Sequence, residues 1–257
     1  MAGAGGLPFI ALPRIVGRAR DALEAGETDA IVYLRGAITW ESALKLKKEI
    51  EIFVEAGVQS IDLMISSGGG SADAALMLVD LIDSLKGPGG VFVRTIVDGV
   101  AASAATLVSV AGHQRWIHKR GWLMLHLPSI ATSGPFRANS ADLAVTHANV
   151  ENLVGQMKQV YHDNMYFKTG ENSGGSRPTT VSEEERAWLE KELERDNYIL
   201  SQECVTWKLV DHVGLPERKR LEHRPRKASQ EAAERELASL LILGLENARN
   251  AKYNSKP

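Results

Sequence analysis

Three short segments of this sequence hold residue types that could carry out chemistry, and the first of them is rich in glycine. Residues 65–71 (ISSGGGS) follow an apolar run, and their three glycines free the backbone to turn sharply and to present N–H groups to a phosphate or an oxyanion. The segment matches neither the G-x-x-x-x-G-K-S nor the G-x-G-x-x-G phosphate-binding pattern. Taken alone, it is equally consistent with a simple turn between a strand and a helix.

The second segment, residues 98–105 (DGVAASAA), places Ser103 among small residues near the start of a predicted helix. Small neighbours would let a substrate carbonyl approach the hydroxyl group. The N–H of Ala104 and the positive end of the helix could then stabilise a developing oxyanion. The alternative is a small-residue helix packed against a sheet, with Ser103 as a buried hydroxyl. The segment is not the G-x-S-x-G elbow of α/β-hydrolases.

The third segment, residues 123–128 (LMLHLP), places His126 at the end of an apolar stretch. A serine is a weak nucleophile until a base takes its proton, and imidazole has the pKa for that work near neutral pH. The chain has seven histidines, however, and a single histidine at the end of an apolar strand is more often a core residue. His126 is therefore a candidate general base, and its role depends on whether a nucleophile lies beside it in the fold.

The elements that must position these segments alternate along the chain. Strands are predicted over residues 29–34, 60–66, 91–97 and 122–126, and helices over 41–56, 72–85 and 102–110. This alternation predicts right-handed β-α-β units with a largely parallel sheet, and hence an α/β fold. Beyond Pro128 the pattern predicts a long polar helix over 140–168, a loop over 170–180, a helix from Ser182 to about Leu193 that opens with a capping box, and a last helix near 230–247.

Composition excludes several classes of protein. The formal net charge is −2 over 257 residues, which argues against a protein built for nucleic acid or anionic membranes. The single cysteine, Cys204, allows neither an intrachain disulfide nor a thiolate metal cluster. No run approaches the roughly 20 apolar residues of a membrane helix. We expect a soluble, cytoplasmic protein that binds no metal.

In their order along the chain, these segments resemble the motifs of the Clp protease family. That family has N-S-P-G-G, G-x-A-A-S and M-I-H-Q-P segments, and this sequence reads S-S-G-G-G, G-V-A-A-S and M-L-H-L-P. Residues 194–201 (ERDNYILS) are similar to the family's D-R-D-x-F-L-S segment, and residues 209–211 (LVD) to its L-I-D ending. The resemblance spans about residues 30–213. It implies a crotonase-like fold of repeated β-α-β units with a protruding long helix.

Carried over position by position, the resemblance implies a serine endopeptidase that works through an acyl-enzyme. Ser103 would be the nucleophile, His126 the general base and Asp196 the residue that orients His126. The N–H groups of Gly70 and Ala104 would form the oxyanion hole.

Two more residues fall in segments that would border the substrate. The resemblance implies substrate contacts at Gly69, in the glycine-rich turn, and at Leu127, which stands where the family has glutamine.

The resemblance also implies an assembly. The helix over 140–168 corresponds to the family's handle, through which heptameric rings pair into a tetradecamer with the active sites inside. An AAA+ unfoldase would deliver polypeptide substrates and use the ATP, so this chain would need no cofactor. The predicted organisation is a variable segment over 1–28, a catalytic domain over 29–215, and a basic linker with a C-terminal helix over 216–257.

Three alternatives stay open at this point. A crotonase-fold acyl-CoA enzyme uses similar β-α-β units and a similar oxyanion hole, usually with acidic catalytic residues. A serine–lysine peptidase would need Lys86 or Lys119 as its base. A non-catalytic ring subunit would keep the fold and scaffold an active partner.

Overall fold

The computed structural model describes residues 29–87, 89–128, 140–165 and 183–216. These residues belong to one compact unit, Ala22–Pro216. The segments predicted over 1–28, 170–180 and 230–247, together with Ser182, lie outside the described residues. The division of the chain at 28 and 215 therefore stays a prediction.

Seven strands and six helices make up the described part of the chain. The strands are β1 (Asp29–Arg35), β2 (Ser60–Ser67), β3 (Phe92–Ala102), β4 (Gln114–Ile117), β5 (Trp122–Leu125), β6 (Asn197–Leu200) and β7 (His212–Val213). The helices are α1 (Trp40–Glu55), α2 (Ala72–Ser84), α3 (Ala104–Val110), α4 (Ser140–Met165), α5 (Glu183–Leu193) and α6 (Ser201–Thr206).

The strands form one sheet that divides at β3. Its main path runs β1-β2-β3-β4-β7, and every pair on that path is parallel. Residues 94–97 of β3 pair with β4, whereas residues 100–102 pair with β5, also in parallel. Gly99, with φ of 118°, lies between the two pairings. β5 in turn pairs with β6, and these two strands are antiparallel. The α/β class and the largely parallel sheet predicted from the alternation are confirmed.

The first two helices begin where their capping residues predict. Thr39 and Ser42 form a reciprocal capping box at the start of α1, and the Ser71 hydroxyl accepts a hydrogen bond from the Ala74 N–H at the start of α2. β2 lies centrally between β1 and β3, and residues 61–65 are all buried. A strand of a parallel sheet that is covered on both faces shows such a continuous buried run.

Two predicted boundaries around Ser103 are wrong, for one reason. β3 continues to Ala102 and does not end at residue 97, and α3 begins at Ala104 and not at residue 102. Val100 to Ala102 form ladder hydrogen bonds with β5, and this pairing keeps their backbone extended. A run of small residues does not by itself predict a strand or a helix, because pairing with a neighbouring strand decides between the two.

The long helix predicted over 140–168 is present as α4, as far as the described residues extend. Only its second half packs against the core, through Met157, Tyr161 and Met165. Among the side chains described before Met157 none is buried, and Leu143 and Val145 are exposed apolar residues. No helix in the described ranges is both long enough and apolar enough to cross a membrane.

Candidate active site

Ser103 stands at the junction between β3 and α3, in an unusual backbone conformation. Its φ is 54° and its ψ is −129°, and only one other non-glycine residue in the described ranges has a positive φ. Such a conformation costs about 1–3 kcal/mol and persists where the surroundings enforce it. One contact that holds this conformation is the hydrogen bond from the Ser103 N–H to the Met124 carbonyl, at 2.7 Å.

His126 reaches Ser103 because β3 and β5 run in parallel. Ala102 pairs with Met124, and the hydrogen bond from Ser103 to Met124 extends that pairing by one residue. His126 follows the end of β5 by one residue, and its Nε2 lies 2.6 Å from the Ser103 Oγ. The half-buried histidine ring and the half-buried hydroxyl are thus in direct hydrogen-bond contact.

Asp196 joins the pair from a different element. It immediately precedes β6, and its Oδ1 lies 3.0 Å from the His126 Nδ1. The Asp196 side chain is 63% exposed, whereas that of His126 is 22% exposed. Because a carboxylate only accepts hydrogen bonds, Nδ1 carries the proton and the Nε2 lone pair faces the serine hydroxyl. That tautomer is the one a general base requires.

The loop that carries Asp196 is tied to the strand that carries His126. The Leu127 N–H donates to the Leu193 carbonyl at 2.9 Å, directly beyond His126. The Asn197 side chain donates to the Glu192 carbonyl at 2.6 Å and closes the turn around Asp196. These two hydrogen bonds hold the turn that carries the exposed carboxylate. The Leu127 side chain itself is exposed beside this site.

Gly69 lies directly against the backbone around Ser103. A Cβ on Gly69 would stand 2.6 Å from the Ala102 carbonyl oxygen, 2.7 Å from the Ser103 Cβ and 3.1 Å from the Ala104 nitrogen, and its φ is 91°. Only glycine permits this approach. The Gly69 N–H donates to the Ser67 hydroxyl at 3.1 Å, and that hydroxyl donates to the Gly36 carbonyl at 2.6 Å.

Gly70 follows as an exposed residue whose backbone pairs with Ile38. The hydrogen bonds to Ile38 come from its neighbours: the Ile38 N–H donates to the Gly69 carbonyl, and the Ser71 N–H donates to the Ile38 carbonyl, both at 2.8 Å. The Gly69 carbonyl points to Ile38, and the C=O and N–H of one trans peptide point in opposite directions. The Gly70 N–H therefore points away from Ile38. A Cβ on Gly70 would lie 2.2 Å from the Ile38 oxygen, so this position also requires glycine.

Ala104 is buried and is the first residue of α3. Its N–H belongs to the first turn of that helix, where backbone N–H groups have no partner within the helix. The close approach of Gly69 to the Ala104 nitrogen places the glycine-rich turn beside this helix start. The structure thus brings the seven predicted site residues into one region of the fold.

Neither lysine of the serine–lysine alternative occupies the position of a base. The Lys86 ammonium group lies 3.0 Å from the Asn164 Oδ1 and 2.7 Å from the Asp83 Oδ1. Lys119 is an exposed residue between β4 and β5. The side chain that meets the Ser103 Oγ is a histidine.

Sequence reasoning overlooked two hydroxyl groups close to Ser103. Thr106 and Tyr161 are both fully buried, and they are hydrogen-bonded to each other. Nothing in the sequence distinguishes Tyr161 from an ordinary core residue of the long helix. Thr106 could have been noticed as a hydroxyl in an otherwise apolar helix, because buried polar groups almost always have a partner.

Comparisons with known proteins agree with the fold. A model of the Clp protease family matches residues 17–217. The chain therefore belongs to the Clp protease family, a family of peptidases.

Individual relatives are distant but cover most of the chain. The ATP-dependent Clp protease proteolytic subunit of Streptococcus thermophilus is 26% identical over 189 residues, which cover 72% of this chain and 84% of that protein. The subunit of the same name from Streptococcus pneumoniae is 25% identical with the same coverage. The family expected from the motifs is confirmed.

Proposed function

We propose that this protein is a serine endopeptidase that cleaves polypeptides through an acyl-enzyme. The observation that carries the proposal is the continuous line of contacts from Ser103 through His126 to Asp196, with distances of 2.6 Å and 3.0 Å. This is the geometry in which a base activates a hydroxyl and a carboxylate orients the base. Membership of a peptidase family supplies independent support.

The steps follow from the positions of the groups. As the Ser103 Oγ attacks a peptide carbonyl, His126 Nε2 takes its proton, and Asp196 stabilises the imidazolium. The carbonyl oxygen becomes an oxyanion that accepts hydrogen bonds from the N–H groups of Gly70 and Ala104. Losing one such donor raises the barrier by about 2.7–4 kcal/mol.

Collapse of the tetrahedral intermediate breaks the peptide C–N bond. His126 returns its proton to the leaving amine, and the acyl group stays on Ser103 as an ester. Water then enters, and His126 takes a proton from it as the water oxygen attacks the ester carbon. Collapse of this second intermediate breaks the bond to the Ser103 Oγ, which takes the proton from His126, and the new carboxyl end leaves. Every step uses only water and groups of this chain, so the proposed reaction requires neither a metal nor a cofactor.

We further propose that the chain works as the proteolytic subunit of an ATP-dependent Clp-type assembly. The names of the two relatives describe such subunits. The exposed first half of α4, with apolar Leu143 and Val145 on its surface, supports the packing of another copy there. Rings of seven, paired into fourteen, would enclose the sites in the cytoplasm. An AAA+ unfoldase would supply unfolded substrate and consume the ATP.

Peptide hydrolysis by the assembled protein tests the enzymatic part. Wild-type protein should cleave a fluorogenic peptide, and Ser103→Ala should lose cleavage while eluting from a sizing column at the same volume. Unchanged cleavage by the variant would rule out Ser103 as the nucleophile.

A further inference from the structure

The carbonyl of Ser103 is held as firmly as its N–H. It accepts a hydrogen bond from the Thr106 N–H at 2.9 Å and another from the Thr106 Oγ1 at 2.6 Å. Together with the bond from Ser103 to Met124, these contacts restrain the residue on both sides of its Cα. Such restraint is what a non-glycine residue with a φ of 54° requires.

The Thr106 hydroxyl is in turn held by Tyr161 of α4. Since Thr106 Oγ1 uses its one proton on the Ser103 carbonyl, the hydrogen bond between Thr106 and Tyr161 has the phenol as donor. Burial raises the pKa of Tyr161, which keeps the phenol neutral and able to donate. A directed chain of hydrogen bonds therefore runs from α4 to the backbone of the nucleophile.

We propose that Tyr161 and Thr106 are positioning residues that lock the peptide plane between Ser103 and Ala104, and thereby aim the Ala104 N–H at the oxyanion. The C=O and N–H of a trans peptide share one plane and point in opposite directions. Fixing the Ser103 carbonyl on Thr106 thus fixes the direction of the Ala104 N–H. This inference rests on the proposed function, in which that N–H stabilises the transition state.

One further observation and one general property of hydrogen bonds favour a positioning role. Gly69 lies close to this peptide, since a Cβ placed on it would stand 3.1 Å from the Ala104 nitrogen. Hydrogen bonds in a chain also polarise one another, which makes the N–H on the far side of the plane a better donor. A phenylalanine at 161 would fill the same volume without providing that bond.

Helix α3, which carries Thr106, offers a matched control in Ser109. Its buried hydroxyl donates to the Thr106 carbonyl at 2.8 Å, a local bond back along the helix that does not reach Ser103. Removing the Ser109 hydroxyl deletes a buried hydrogen bond of similar cost from the same element. It leaves the chain from Tyr161 to Ser103 intact.

The first test is the rate at which a fluorophosphonate labels the full-length protein, with each rate normalised to the final labelled fraction. Tyr161→Phe and Thr106→Val should label about five- to tenfold more slowly, the size of one lost hydrogen bond. Thr106→Ser should recover most of the rate, and Ser109→Ala should stay within about twofold of wild type. Adding Tyr161→Phe to Thr106→Val should cause no further loss, since both remove the same chain.

Peptide kinetics and backbone exchange separate positioning from stability. A donor that acts only on the transition state changes kcat and leaves KM unaltered. Hydrogen–deuterium exchange of the segment over residues 103–107 should be faster in Tyr161→Phe and Thr106→Val than in wild type or Ser109→Ala.

The outcomes divide clearly. Slower labelling with an unchanged final fraction, together with faster exchange at 103–107, supports the inference. Wild-type labelling rates in Tyr161→Phe, or a reduced labelled fraction at the wild-type rate, would overturn it. If wild-type protein takes no label at all, the proposed function has failed, and the exchange result alone decides whether Tyr161 fixes this peptide plane.

Discussion

His126 and Asp196 face each other because they extend the antiparallel register of β5 and β6. Leu125 pairs with Asn197, so the next opposed positions are His126 and Asp196. The imidazole Nδ1 and the carboxylate Oδ1 are 3.0 Å apart as a result. Two strands of four residues each thus align an imidazole and a carboxylate from distant parts of the sequence.

Removing the charge of Asp196 should impair catalysis without unfolding the protein. Asp196→Asn should lower kcat by about 10²- to 10⁴-fold, because the amide no longer enforces the tautomer with the proton on Nδ1. Glu194→Gln, an exposed residue of the same turn, is the matched control and should retain wild-type peptide cleavage. Full activity in Asp196→Asn would show that the carboxylate does not orient His126.

An added methyl group should be harmful at Gly69 and harmless at its neighbour Gly68. Gly69→Ala would press a Cβ against Ser103 and Ala104, so we expect lost peptide cleavage and a loss of about 1–3 kcal/mol in unfolding free energy. A Cβ at Gly68 meets nothing within 4 Å, so Gly68→Ala should behave as wild type. Urea titrations and peptide assays on both variants check this. Equal behaviour of the two would contradict the close approach at Gly69.

A buried ion pair should matter more for stability than an exposed one. Arg115 meets Asp211 at 2.6 Å and 3.1 Å and also donates to the Asn164 carbonyl near the end of α4. Removing one partner of a buried pair costs about 3–5 kcal/mol, so Asp211→Asn should lower the urea midpoint strongly.

Lys45→Met provides the comparison for that pair. It breaks the pair with Glu41 on the surface of α1, which should leave the midpoint unchanged. A small effect of Asp211→Asn would mean that its ion pair with Arg115 contributes little to the stability of the fold.

His113 should make the fold sensitive to acid. Burial, and then the charge of Lys86, lower the pKa of His113 from 6.5 to about 4, while its Nδ1 accepts the Val93 N–H. The unfolded chain therefore takes up a proton below pH 6.5 that the folded protein refuses until about pH 4. Stability due to neutral His113 is complete above pH 6.5 and falls between pH 6.5 and 4.

Urea midpoints at pH 7 and pH 5 measure this contribution. The drop between the two values should be smaller in His113→Gln than in wild type. His147→Gln, which changes an exposed histidine of α4, should retain the full drop. An equal drop in His113→Gln would assign the acid sensitivity to other groups.

Much of the fold follows from the sequence where elements are long and periodic. The first β-α-β units were predicted within a few residues, because apolar runs and capping residues mark their ends. β4, β6 and β7 were not predicted, because they are too short to show a period and each includes a polar residue. The four residues of β5 are all apolar, and that strand was predicted. The formation of β4, β6 and β7 depends on neighbours that are distant in the chain.

The candidate site was only partly visible in the sequence. Ser103 and His126 attract notice as residue types in suggestive positions, whereas Asp196 came from the resemblance to a family alone. The positive φ of Ser103 and its link to Tyr161 depend on strand pairing and helix packing. Those contacts join residues that no local pattern connects, and Tyr161 reads as an ordinary core residue.

Intact mass after fluorophosphonate treatment is the most direct test of the central claim, made on wild type and on Ser103→Ala. The account predicts one adduct per chain on wild type and none on the variant, because only a serine activated by His126 reacts with this probe. An assembled wild-type protein without an adduct would contradict the account. A coenzyme A titration would then separate an acyl-CoA enzyme from a non-catalytic ring subunit.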